Sequence, residues 1–177
     1  AARACGELLT LLLLLATGLD SAAAALRLAG PTMGTHYSLS VLNPTRPASE
    51  LQAGLDALLE DINNAMSTWQ PTSELSRLNQ TQAGWLAISP AMHQVLTAAA
   101  VVSGQTYGAF DVTVGPVVNL WGFGPQARVP VPPPADALAA ALARVGYHQL
   151  QLLDEPPRAR KVHPDLYVDL SAIAKGY

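Results

Sequence analysis

Tyr37, Leu39 and Val41 alternate with His36, Ser38 and Ser40, and this period of two predicts a half-buried strand over 35–42. Asn43-Pro44 closes it. From about Ser49 the period lengthens: Leu51, Leu55, Leu58, Leu59, Ile62 and Met66 keep one apolar stripe on a helix, with Glu50, Asp56, Glu60 and Asp61 mostly to the side. Ser89 followed by Pro90 supplies an N-cap and a first-turn proline for a second helix, 90–103. Its buried face is Met92, Val95, Leu96, Ala99 and Val102, with Gly104 as the C′ residue. Residues 130–134 break regular structure, and Leu138, Leu142 and Val145 then mark a short helix ended by Gly146. Residues 148–153 and 166–170 read as strands separated by the turn Asp154-Glu155-Pro156-Pro157. Strands alternate with helices, yet a hairpin-like pair is also present. The expected fold class is α/β (α+β), a mixed sheet flanked by helices. The chain carries no internal repeat and neither of the common glycine-rich phosphate loops.

The N-terminal end changes the picture. Arg3, the apolar run 8–19 and the small residues that follow it have the order of a secretory signal peptide, and the run is too short to span a bilayer. A buried Leu-rich helix is the alternative, but Gly18 and Asp20 would interrupt it. Residues 1–25 are therefore expected to be a leader, with cleavage between Ala22 and Leu26, and residues 26–177 a domain of an exported, periplasmic protein. The only cysteine, Cys5, precedes the apolar run, so a disulfide or cysteine metal cluster within the chain is excluded. A lipid-anchoring cysteine would follow the run; none does, which leaves membrane association possible but unsupported by a lipoprotein signal. Ten Lys and Arg against 13 Asp and Glu give a net charge of −3 with no basic stripe, which disfavours nucleic-acid binding. Only 13 % of residues are charged and aliphatics run the whole length, so a packed globule is expected.

Four segments are unusual for a plain core. Met33-Gly34-Thr35 precedes a strand, where the glycine permits close backbone approach or simply starts the strand. Met66-Ser67-Thr68-Trp69 ends the long helix with hydroxyls and an aromatic, and Ser73-Glu74-Leu75-Ser76-Arg77-Leu78-Asn79 follows; a helix end with a packed tryptophan explains it equally well. Residues 108–124 crowd aromatics, glycines and one carboxylate, a wall on which a flat ring could stack, or else a buried strand with a glycine-rich turn. Residues 168–177 read as a strand that ends in Asp169 and enters a helix carrying Lys175 early, against the helix dipole. That placement makes sense if an anion is held there, while Asp169 could accept a ring N–H or cap the helix. Together they suggest a ligand both anionic and aromatic, such as a nucleotide.

With these four segments the sequence resembles the FAD:protein FMN transferase family, also called the ApbE family. The matching pieces are MGT at 33–35, MSTW with SELSRLN at 66–79, AFDVTVGPVVNLWGFG at 109–124 and DLSAIAKGY at 169–177, in the family's order. The resemblance covers about 28–177 and corresponds to the first half of a family member, so the chain is expected to be the N-terminal part of such a domain with its C-terminal part missing. It implies an enzyme that binds FAD with Mg²⁺, splits the pyrophosphate, attaches FMN to a Thr or Ser of a target protein and releases AMP. The implied acceptor is a flavoprotein subunit of a membrane redox complex. By motif, Met33, Trp69, Ala109, Phe110, Asp111, Asp169 and Lys175 would contact FAD, and Ala172 would give Mg²⁺ its backbone carbonyl; the resemblance assigns no catalytic residue here. Two alternatives share these features: an FAD pyrophosphatase, in which water replaces the acceptor hydroxyl, and an exported FAD-binding protein without turnover.

Overall fold

The computed structural model describes residues 25–82, 84–125 and 131–177, so residues 1–24 of the expected leader, Cys5 and Pro130 lie outside the described residues. Two compact units are distinguished, one ending at Leu55 and the other running from Asp56 to Tyr177, and the division falls within helix α1, Ala48–Met66.

In the first unit β1, Ala25–Thr32, pairs antiparallel with β2, Thr35–Leu42, from Ala25 opposite Leu42 to Thr32 opposite Thr35. The connecting Met33 and Gly34 have φ of 49° and 72°, and positive φ at both positions is what the type I′ turn of a tight hairpin requires. β2 matches the predicted strand residue for residue. β1 was not anticipated from periodicity, because its alanines and leucines continue the composition of the apolar run before it. Its inward positions, Leu26, Leu28 and Gly30, nevertheless alternate. A Cβ on Gly30 would come within 2.9 Å of the ring of Tyr37, its cross-strand partner, so the glycine makes room for the tyrosine.

The second unit is built on helices packed over a small sheet. Helix α2, Glu74–Gln80, is capped by Ser73, whose hydroxyl accepts from Ser76 N at 3.0 Å. Leu75 and Leu78, three residues apart on one face, are fully buried. Helix α3, Pro90–Gln105, has the predicted Ser89 cap and first-turn proline and buries Met92, Val95, Leu96 and Ala99; Val102 of the expected face is exposed. It runs past Gly104: Tyr107 and Gly108 carry the positive φ, and Gly108 N closes onto Ser103 O at 2.8 Å. Glu74 ties the two helices, one carboxylate oxygen accepting from Ser89 N at 2.5 Å. Short helices α4, Gly115–Leu120, and α5, Ala135–Leu142, follow, α5 opening and ending three residues earlier than the leucine and valine spacing predicts.

The sheet orders β3 (Leu86–Ala87), β5 (Arg158–Lys161) and β4 (Leu150–Leu153), all antiparallel. Helices and strands are thus mixed as expected, but in two separate antiparallel sheets, with a single parallel bridge from Val114 to Tyr167. The hairpin is corrected in its second arm. β4 turns through 154–157 and pairs with 158–161, the first residues able to fold straight back, and not with 166–170. The helix expected at 171–177 is also absent: these residues form a turn and a 3₁₀ turn over Ala174–Gly176, so no helix dipole acts on Lys175.

Candidate functional site

Residues 166–170 organise the site. Leu166, Val168 and Leu170 are buried to 1 % exposure or less while Tyr167 and Asp169 are half-buried, the alternation of a strand. The backbone bonds of its central residues 167–169, however, go to three different partners. Val168 N donates to Asn79 Oδ1 at 2.8 Å and Val168 O accepts from Asn79 Nδ2 at 2.9 Å; Asp169 N donates to Val112 O at 2.7 Å; and Tyr167 bridges Val114. The approach is close, since a Cβ at Gly115 would strike the Tyr167 ring and backbone. Three of the four segments singled out in the sequence therefore meet along this one stretch of chain.

The Asp111 turn is closed on itself. Asp111 Oδ1 accepts from Thr113 N at 2.7 Å and from Thr113 Oγ1 at 2.6 Å, and Oδ2 accepts from Tyr147 N at 2.9 Å. Thr113 Oγ1 in turn accepts from Gly146 N at 2.7 Å. Oδ2 holds this loop to the 146–147 turn directly and Oδ1 does so through Thr113, so neither carboxylate oxygen of Asp111 is free of a hydrogen bond. Ala109 is exposed, and Phe110 packs half-buried against the core.

At Asp169 the carboxylate is freer. Oδ1 accepts from Ser171 N at 2.8 Å, an exposed turn of the kind Asp favours, and Oδ2 takes no hydrogen bond among the described residues. Three residues after Asp169, Ala172 is exposed, and no backbone N–H of the described residues bonds to its carbonyl. Lys175 is exposed and forms no ion pair among the described residues. Tyr167, beside them, has its phenol pKa pushed up, chiefly by burial and also by the Asp169 charge, with the side chains of Asn119 and Asn79 pulling it back.

Trp69 is 63 % exposed on a loop fixed by serines: Ser67 Oγ accepts from Trp69 N at 3.1 Å, and Ser73 Oγ donates to Ser67 O at 2.5 Å. A packed tryptophan at this helix end is thereby ruled out. Met33 lies in the other unit, on the hairpin turn. A cavity of about 390 Å³ lies against Asn79, Asn119, Arg144, Asp165 and Tyr167, and none of the eight residues predicted from the motifs lines it. Asn79 and Lys161 were missed in the sequence. The Asn sits in a motif that was singled out, but nothing local shows that its amide reaches a residue 89 positions away. Lys161 looks like any strand lysine until its burial is seen.

The model of the ApbE family matches residues 33–177. An FAD:protein FMN transferase of Vibrio cholerae is 45 % identical over 168 residues, covering 93 % of this chain and 50 % of that protein. One of Klebsiella pneumoniae is 40 % identical over 166 residues, covering 91 % and 47 %. The chain thus spans about half the length of the curated relatives it matches. Among solved structures, the flavin transferase ApbE of Vibrio cholerae has a TM-score of 0.83 at 44 % identity, covering 87 % of this chain and 50 % of that one. The flavinyl transferase ApbE of Pseudomonas stutzeri scores 0.79 at 30 % identity, covering 88 % and 50 %.

Proposed function

Because the chain belongs to the ApbE family, we propose that it is the N-terminal part of an FAD:protein FMN transferase. The observation that carries the reading is the convergence of three motif segments on 166–170, which leaves Asp169, the Ala172 carbonyl and Lys175 close in sequence and open to a ligand. Such a transfer needs positioning and charge neutralisation more than covalent chemistry from the protein. An acceptor Thr or Ser oxygen attacks the phosphorus of the FMN moiety; that P–O bond forms, the pyrophosphate P–O bond breaks, AMP departs, and the hydroxyl proton passes to solvent. Lys175 places a cation beside the phosphates, Asp169 holds a flavin or ribose donor on its open oxygen, and Trp69 offers an aromatic face.

Mg²⁺ would neutralise pyrophosphate charge. The fit in this chain is partial and sound: a free, exposed carbonyl at Ala172 is a hard oxygen donor of the kind this ion takes, while the described residues hold no cluster of three His, Cys, Asp or Glu. The acceptor is a flavoprotein subunit of a membrane redox complex, reached after export directed by residues 1–25. Mature protein beginning between Ala22 and Leu26 supports export with cleavage there; exported protein that still begins at Ala1 refutes the cleavage, and a purely cytoplasmic distribution refutes the export.

The test is to incubate the full-length protein with FAD, Mg²⁺ and a flavin-accepting subunit. AMP appearing in step with FMN covalently bound to the acceptor is expected. Free FMN and AMP with an unlabelled acceptor would identify a pyrophosphatase, and FAD bound but intact a carrier.

A further inference from the structure

Asn79 lies in the last turn of helix α2, yet its side chain bonds outside the helix. Its amide both donates to Val168 O at 2.9 Å and accepts from Val168 N at 2.8 Å, the pair of bonds that a neighbouring strand would give. On the opposite side of the same stretch, Asp169 N is taken by Val112 O at 2.7 Å. The peptide units on either side of Val168 are thus gripped from two directions, and the open carboxylate follows immediately. Behind Asn79 stands Lys161, 6 % exposed, whose ammonium donates to Asn79 O at 2.6 Å and Pro164 O at 2.7 Å. Burying an ammonium is costly unless its donors are placed, and here one braces the backbone from which the clamp projects while another goes to Pro164 O. Burial pulls the Lys161 pKa below the ordinary lysine value, with the Asp165 charge offsetting part of the shift.

We propose that Asn79 is a positioning residue for the flavin site: its side-chain amide stands in for a missing strand against Val168 and so sets where Asp169 is presented, with Lys161 anchoring it. This rests on the FAD reading above. Without the amide, Val168 loses both backbone partners in a buried setting, and the segment carrying Asp169 is free to shift. A displacement near 1 Å at a positioned group is enough to cost a large factor in binding or rate.

The experiment uses the full-length protein with Asn79→Ala, Asn79→Asp and Lys161→Met. In Asn79→Ala the FAD dissociation constant is expected to rise about tenfold to a hundredfold while the KM for the acceptor protein stays at the wild-type value. Asn79→Asp keeps the acceptor for Val168 N but loses the donor to Val168 O, so it falls between. Lys161→Met moves in the same direction by less. Amide hydrogen exchange at Val168, read without ligand, quickens in the same order. A role confined to stability would lower the melting temperature and leave FAD affinity untouched. If Asn79→Ala does not fold, Asn79→Asp decides: wild-type FAD affinity, or wild-type exchange at Val168, overturns the proposal. A wild-type protein that binds no FAD refutes the functional reading instead, and exchange at Val168 still reports whether the clamp exists.

Discussion

Two aspartates stand at adjacent turns, joined through Val112 and Asp169 by one backbone bond, and they are employed differently. Asp111 spends both oxygens on Thr113 and Tyr147, drawing together loops 36 residues apart. Asp169 spends one oxygen on its own turn and leaves the other open. The same side chain, in two motifs that look alike as candidates, closes a loop in one place and keeps an oxygen unbonded among the described residues in the other. The number of bonds already made by a carboxylate distinguishes these roles, and the sequence does not carry that number.

Removing Asp111 should have the largest effect on the fold. Asp111→Ala strands the amides of Thr113 and Tyr147 and a buried hydroxyl, and is expected to cost about 3 kcal/mol in urea denaturation. A loss under about 1 kcal/mol would place Asp111 with the ligand-facing group after all. Gly115→Ala comes next. Its methyl would strike Tyr167, at the Val114–Tyr167 bridge, and such overpacking costs about 1–3 kcal/mol. Because the strain falls two residues from Asp169, FAD affinity should fall with stability; a pure stability loss would uncouple the two turns.

Trp69→Ala is expected to leave the melting temperature almost unchanged, since the ring is mostly exposed, and to weaken FAD binding by about 1 kcal/mol if the indole stacks on the flavin. Stability lost with affinity retained would return Trp69 to a packing role. The smallest effect is in pH. The folded pKa of Lys161 lies below its unfolded value of 10.5, so between the two the unfolded chain binds more protons and stability rises with pH. Wild type should therefore gain on Lys161→Met as pH climbs toward 10. Above that, Tyr167 acts in the opposite sense, because its raised pKa lets the unfolded chain ionise first. A difference between the two proteins that is flat or shrinks below pH 10 would contradict the buried ammonium.

Regular periodicity was legible where an element bonds to itself or to its immediate neighbour in the chain. Strand 35–42 and helix 90–103 follow from alternation and from the Ser89-Pro90 cap, because local spacing decides them. Residues 166–170 show the limit. A strand is expected there, and the side chains do alternate between buried and half-buried, but alternation reports faces and not partners: in place of a neighbouring strand stand an asparagine side chain, a lone carbonyl and one bridge. The hairpin arm at 158–161 went unseen because Arg158, Arg160 and Lys161 hide its period, with only Ala159 small and buried between them. Of the candidate site, the sequence identified the segments that converge; which atoms in them remain available was decided by bonds to residues tens of positions away, and those appear only once the chain is folded.

The account turns on Asp169 acting on the ligand while its turn stays intact. Asp169→Asn keeps an oxygen for Ser171 N and removes the charge, so an FAD titration of the full-length variant alongside urea denaturation separates the two roles. The predicted result is FAD binding weakened by about 1–3 kcal/mol, the scale of a lost charge-assisted hydrogen bond, with the denaturation midpoint unmoved. Unchanged FAD affinity, with or without a shifted midpoint, would contradict it.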